Sequence, residues 1–255
     1  NWLSVVNDPP IILTGASSYG PYDDWLDALE WIKMNTPENA KIASWWDYGY
    51  WITTLSDRTT FIDNATLGTW QIQKMANIFF NNPNDSFNSL EEWGADYVVI
   101  FVTGTRVEGD FLGEPIYLLG GGGDESKLIW MLRISQNPID IQGNDISSSS
   151  ATTLQPLSKF INQDGITPTD YFWNETLMGK LIPFKVVGYY DVDTKLAYDI
   201  WSPGRLPLSI VDIKYDSDED PLQLVYASPS FNEKSIKPFT SVFVYKINYN
   251  YIVEN

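Results

Sequence analysis

Trp45-Trp46-Asp47-Tyr48-Gly49 is the stretch of this chain whose residue types suit a defined piece of chemistry. Each Trp brings one indole N–H donor and no acceptor, and an ionised Asp brings acceptors only. A hydroxyl both donates and accepts, so two indole donors and one carboxylate satisfy it completely. An amide, a thioether or a hydrocarbon leaves part of the same set unpaired, at roughly 1–3 kcal/mol for each buried group. That penalty is large enough to separate Ser or Thr from apolar side chains. The same residues also suit an aromatic core patch with Asp47 as a helix N-cap, and both readings stand at this point.

A second stretch, residues 124–131, reads Asp-Glu-Ser-Lys-Leu-Ile-Trp-Met. On a regular helix Asp124, Lys127 and Met131 fall within about 60° of one another, on one face. Asp124 then caps the helix, and Lys127 sits in the first turn, where the helix dipole disfavours a cation by about 0.3–1 kcal/mol. An ion pair with Asp124 three residues back is the plain account of that lysine, and a functional demand is the other. Met131 on an amphipathic helix reads first as core packing.

Other signals are weaker. Residues 120–127 resemble a phosphate loop only superficially, because Lys127 follows Ser126 instead of preceding a Ser or Thr. Asp216, Asp218 and Asp220 alternate as at the start of a calcium loop, but the Gly and the distal Glu are missing; a solvated turn fits them better. Acceptor triplets for N-glycosylation occur at Asn64, Asn84 and Asn174, close to the number that chance provides. The chain has no Cys and no His, which excludes disulfides, thiolate or imidazole metal sites and His-based triads. A formal charge of −17 repels nucleic acid and anionic headgroups, so neither is expected as a partner.

The elements that must hold these residues follow from periodicity. Apolar residues at helical spacing predict a helix over 23–34, closed by the Asn35-Thr36-Pro37 cluster. A short buried strand over 41–46 leads into Asp47 and a helix over 49–55. A strand over 59–62, a helix over 69–80, a short helix around Glu91 and a strand over 96–102 come next. The alternation argues for an α/β layer with some parallel pairing. Residues 120–123 form a loop feeding a helix over 124–134, and the Ser/Thr/Asn-rich residues 143–170 read as a loop or weakly ordered insertion. From 179 on, short alternating runs predict antiparallel strands over 185–190, 208–215, 222–227 and 242–249. The expected fold class is therefore α+β. A leading segment over 1–21 precedes a mixed α/β core over 22–178, whose α-rich layer carries both motifs. A predominantly antiparallel β region over 179–255 follows. The chain opens at Asn1 with no initiator Met and no signal-like layout, which reads as a piece of a larger protein.

Taken together, Trp45 to Gly49 and the Asp124, Lys127, Met131 spacing resemble the two motifs, WWDYG and D-x-x-K-x-x-x-M, of oligosaccharyltransferase catalytic subunits, in their soluble C-terminal domain. The flanks agree: the helix over 23–34 precedes the first motif, and Arg-Thr-Thr-Phe-Ile-Asp-Asn over 58–64 follows it. The resemblance covers residues 20–135 well and the last 75 poorly. Tyr50-Trp51-Ile52 is more similar to archaeal than to eukaryotic members.

The resemblance implies specific roles. Trp45, Trp46 and Asp47 would hold the hydroxyl at the +2 position of an Asn-x-Ser/Thr acceptor. Met131 would lie against the Thr methyl, Lys127 would border the pocket, and Tyr48, Gly49 and Asp124 would support it. The resemblance also implies membership of a membrane glycosyltransferase, facing the extracytoplasmic side, that moves an oligosaccharide from a lipid-phosphate carrier to asparagine. The expected partners are the acceptor polypeptide, the enzyme's own transmembrane domain and the lipid-linked oligosaccharide. A divalent metal, Mn or Mg, would be bound by the membrane part; no catalytic residue, cofactor or metal ligand is expected in this stretch, and no turnover. The alternative reading is a secreted carbohydrate-binding or glycosidase-like module. It rests on the 11 Trp and 15 Tyr residues and on paired acids.

Overall fold

A computed structural model describes residues 23–66, 68–135, 156–232 and 238–251. The leading segment and residues 143–155 of the expected insertion lie outside those residues. Helix α1 (Asp23–Asn35) buries Trp25, Ala28, Leu29 and Ile32 along one face, with Asp23 and Asp24 in its first turn and Lys33 in its last. Arg58 closes its C-terminus. The guanidinium donates to the carbonyl oxygens of Lys33 and Thr36 and to the Thr36 hydroxyl, and on its other side to those of Ser56 and Asp57. One buried cation thus satisfies the carbonyls that a helix end leaves open.

The described strands join into one nine-stranded sheet. Strand β1 (Lys41–Ala43) lies parallel both to β2 (Thr59–Thr60) and to the start of β3 (Tyr97–Phe111). The rest is antiparallel. On one edge β3 pairs with β9 (Pro238–Ile247), and on the other, from Gly104 onward, with β4 (Glu114–Leu119). Beyond β4 come β7 (Arg205–Val211), β5 (Phe184–Asp191) and β6 (Leu196–Tyr198), while β8 (Leu222–Ala227) extends the sheet beyond β9. The fold is mixed α/β with a mostly antiparallel sheet, as the patterning predicts.

Helices α3 (Thr69–Phe80) and α4 (Pro83–Trp93) follow β2 after a short turn; α4 opens with Asn82 as its cap and Pro at its first position. Several elements differ from expectation. The strand over 41–46 ends at Ala43, where Trp45 starts a 3-10 turn (Trp46–Tyr48). The following helix, α2 (Gly49–Trp51), widens to a π turn over Ile52–Ser56 that ends at Asp57 with φ 57°. There Thr54 and Ser56 turn their hydroxyls back onto the carbonyls of Tyr50 and Ile52, which competes with regular helix. Residues 156–170, expected as loop, carry a 3-10 turn (Leu157–Lys159) and a bridge between Ile161 and Pro168. Thr169 caps α6 (Asp170–Glu175) and Thr176 caps α7 (Leu177–Leu181), so the Thr169 hydroxyl, part of a stretch that reads as loop, works as a helix start. Among the described residues no helix is long and apolar enough to cross a membrane.

Candidate functional site

The site grows from an opening in the sheet. Along one edge of β3, β1 pairs with Tyr97 and Val98, and β4 pairs only from Gly104. The strand N–H groups of Phe101 and Thr103 lie in the interval, and a buried N–H without an acceptor is costly. Two acids take the place of a strand there. Asp124 accepts from Phe101 N–H at 2.9 Å, and Glu125 accepts from Thr103 N–H at 3.2 Å and from the Thr103 hydroxyl at 2.8 Å. Glu125 also accepts from Gly123 N–H and Ser126 Oγ, which pins the glycine-rich loop. The approach is so close that a Cβ on Gly123 would meet Glu125 Oε2 at 2.2 Å.

This docking explains a departure from the expected helix over 124–134. Asp124 and Glu125 are both tied to the β3 edge, to Phe101 and Thr103, which fixes the backbone there before a regular helix can begin. The chain therefore makes a 3-10 turn (Asp124–Ser126), passes Lys127 at φ −99° and ψ 0°, and begins α5 (Leu128–Ser135) only afterwards. Asp124 does not cap α5, and Lys127 precedes its first turn instead of occupying it. The Lys127 carbonyl accepts from the Trp130 and Met131 N–H groups, so the lysine still stands at the positive end of the helix dipole, and the Asp47 carboxylate offsets that cost.

Lys127 reaches across to the first motif. Its Nζ donates to Asp47 Oδ2 at 2.5 Å and to the Tyr48 hydroxyl at 2.9 Å, and lies 4.6 Å from the Tyr48 ring centroid. The Tyr48 hydroxyl donates to Asp124 Oδ1 at 2.7 Å. A continuous chain thus runs from Phe101 N–H through Asp124, Tyr48 and Lys127 to Asp47. Beneath it Tyr48 packs in a cluster with Trp25 of α1, Trp51 and Phe101, at ring separations of 4.8–6.0 Å. Gly49 is required next to it, since a Cβ there would meet the Ile62 carbonyl oxygen at 2.2 Å.

Burial sets the electrostatics. It pushes the Asp124 carboxyl up to about 6, against the opposing pull of Lys127 and the hydrogen bonds from Phe101 and Tyr48. Glu125 is pushed to about 7 by burial, against the hydrogen bonds from Thr103 and Ser126. Burial and then the Asp124 charge hold the Tyr48 hydroxyl well above the usual phenol range, so it stays protonated. Asp47 and Lys127 are different: their side chains are 30% and 24% exposed, within reach of a ligand. Trp46 is half-buried and Trp45 almost wholly buried. Neither Trp45 nor Trp46 gives its indole N–H to an acceptor among the described residues, and Asp47 Oδ1 also takes no hydrogen bond there.

Trp46, Asp47, Tyr48, Asp124 and Lys127 therefore lie in one neighbourhood although about eighty positions separate the two stretches. Asp47 caps no helix, and Lys127 pairs with Asp47 and not with Asp124. Met131 sits one turn beyond Lys127, its N–H donating to the Lys127 carbonyl, and it is fully buried in the core, with no surface offered to a ligand. Sequence reasoning missed Glu125 and Thr103. The signal available was a second acid directly before an apolar helix, where a single cap would suffice. Of the three acceptor triplets, Ser86 and Thr176 have buried hydroxyls that donate to the carbonyls of Ile78 and Phe172, while Asn64 occupies an exposed turn. Among the described residues no three carboxylates or other ligating side chains converge as a metal site would need.

Parts of the chain are similar to subunits of known glycosyltransferases. Residues 38–93 match the family described as the STT3/PglB/AglB core domain. Over 145 residues, 54% of this chain and 18% of the relative, the sequence is 33% identical to the dolichyl-diphosphooligosaccharide–protein glycosyltransferase subunit STT3 of Saccharomyces cerevisiae. The corresponding subunit of Schizosaccharomyces pombe is 29% identical over 187 residues, 71% of this chain and 22% of that one. Among solved structures, the C-terminal globular domain of an oligosaccharyltransferase from Archaeoglobus fulgidus aligns over 76% of this chain and 99% of its own, with 19% identity and a TM-score of 0.36. The chain spans about a fifth of the length of the curated relatives it matches, and the family match covers the stretch that holds Trp45 to Gly49.

Proposed function

We infer that this chain is the acceptor-recognition domain of a membrane oligosaccharyltransferase, and that Trp45, Trp46 and Asp47 receive the hydroxyl at the +2 position of an Asn-x-Ser/Thr sequence. The observation that carries the reading is the Lys127 contact. It fixes one Asp47 oxygen and leaves the other, with two indole donors from neighbouring residues, uncommitted within the described chain. That is the donor and acceptor set a hydroxyl completes. Tyr48 and Asp124 position Lys127, and Gly49 allows the turn to pack against the segment after β2. Met131 lies one turn beyond Lys127 and is fully buried, so its contact with a Thr methyl requires the side chains that cover it to move. One such methyl contact is worth up to about 1 kcal/mol, which favours Thr over Ser.

In this reading the domain stands on the extracytoplasmic face of a membrane and presents the acceptor to a transmembrane part that holds the lipid-linked oligosaccharide and a divalent metal, Mn or Mg. The ligands of that metal belong, in this reading, to the transmembrane part. The chain contributes recognition, and by itself transfers no glycan.

The experiment is an indole N–H titration by NMR with peptides carrying Asn-x-Thr, Asn-x-Ser and Asn-x-Val. Each peptide is tethered through one engineered thiol, which the absence of native Cys keeps unique. Trp45 and Trp46 shifts that follow Thr ≥ Ser, and vanish with Val or with Asp47→Ala, are expected. Equal responses to all three peptides would sink the hydroxyl pocket.

A further inference from the structure

Away from this site, a cleft of about 600 Å³ opens where α6 and the segment before it meet β5 and the residues after β6. Its floor is residues 186–189, where β5 shifts register against β7 between Val186 and Gly188, and such bulges re-aim side chains next to ligand sites. Tyr171, Tyr189 and Trp201 give it aromatic surface, and Asn162, Asp170 and Asp199 give it acceptors.

The polar groups are the telling part. The Trp201 indole N–H is shielded from solvent and has no hydrogen-bond partner among the described residues. The carboxylates of Asp170 and Asp199 take no hydrogen bond from the described residues. Burial and then the Asp170 charge raise the Tyr189 hydroxyl above its usual range, so it remains a donor. Lys159 lies 4.0 Å from the Tyr171 ring centroid, which occupies that ring face and argues against a second cation there.

We propose that this cleft binds a short, neutral saccharide. Ring faces stack on the C–H faces of a pyranose, and hydroxyls that both donate and accept match a mixture of carboxylates, amide, phenol and indole. The volume lies in the small-molecule range and holds about two sugar rings. The two carboxylates outnumber the one lysine, so phosphorylated, sulfated or uronic acid sugars are disfavoured. This site stands apart from the pocket at Trp45 to Asp47, and neither depends on the other.

The test uses the whole chain with three probes: chitobiose, a mannose disaccharide and cellobiose, plus a Lys/Arg-rich peptide. Saturation-transfer NMR reports binding, and the Trp201 indole resonance reports its place. At least one disaccharide is expected to bind in the millimolar range and to move that resonance. Trp201→Phe, which keeps a smaller aromatic ring and removes the donor, should weaken binding about five- to tenfold or more, the loss of one uncharged hydrogen bond and part of the stacking surface. Asp199→Asn, an exposed position that tolerates the change, should weaken it by a similar factor and guards against misfolding of the first variant. No transfer to any disaccharide at tens of millimolar overturns the proposal. Binding that both variants leave intact also overturns it, as does a Trp201 response to the basic peptide alone.

Discussion

Replacing Tyr48 with Phe removes one oxygen and nothing else, and the structure says what that oxygen does. It donates to the buried Asp124 carboxylate at 2.7 Å and accepts from Lys127 at 2.9 Å. A hydrogen bond to a charged buried group contributes about 1.5–3 kcal/mol, and one between neutral groups about 0.5–1.5. Burial already raises Asp124 to about 6, and losing the Tyr48 bond raises it further. A carboxyl whose folded pKa is raised contributes its full stability below the unfolded value near 3.8 and loses it as pH climbs through the folded value. At pH 8 the variant must therefore keep an ionised Asp124 with one partner fewer, and it pays the charged figure. At pH 5 Asp124 holds a proton in the folded state and the neutral figure applies. Urea unfolding followed by Trp fluorescence should show Tyr48→Phe destabilised by about 2–3 kcal/mol at pH 8 and about 1 kcal/mol at pH 5. In a domain of this size the first figure corresponds to a fall in Tm of roughly 4–12 °C. A penalty below about 0.5 kcal/mol at pH 8, or the same penalty at both pH values, would refute the role assigned to the Tyr48–Asp124 contact.

Two further substitutions probe the frame around it. Glu125→Gln removes a carboxyl whose folded pKa is near 7, so wild-type stability should fall between pH 5 and 8 by up to roughly 3 kcal/mol more than that of the variant, read by the same unfolding series. A variant profile as steep as the wild type's would mean that Glu125 is not what titrates. Gly49→Ala places a methyl against the Ile62 carbonyl and Asp63, and should cost about 1–3 kcal/mol while shifting the Trp45 and Trp46 indole resonances; unchanged resonances would show that the turn does not depend on that packing.

Periodic features were legible in the sequence. Apolar spacing gives Thr69–Phe80 end to end, and alternation gives Leu222–Ala227 and the antiparallel run. The pairing of donors and acceptors in Trp45 to Asp47 was also readable, because it depends on residue type alone. The break at Lys127 was not. It follows from an interval on β3 that exists only because β1 stops at Ala43, opposite Val98, and β4 ends at Leu119, opposite Gly104. No local pattern near residue 124 records where two distant strands end. For the same reason the plain pairing of Lys127 with Asp124 lost to Asp47, and the tyrosine between them went unnoticed as the link. The Thr-rich run before α6 misled in the other direction, since hydroxyls that cap helices and hydroxyls that fill loops look alike in composition.

The long strand at the centre of the sheet also sets an order of events during synthesis. Its opposite edge is closed by β9 from Thr105 paired with Pro238 to Tyr97 paired with Lys246, about 140 positions along the chain. Until the ribosome has delivered those residues, β3 has one unfilled side, and the two acids at 124 and 125 have no settled edge to dock against. Trp45, Asp47 and Lys127 emerge early, yet their arrangement waits for nearly the whole chain. A nascent protein stalled before β9 should therefore expose the aromatic cluster around Tyr48, offering chaperones a surface that the finished domain hides.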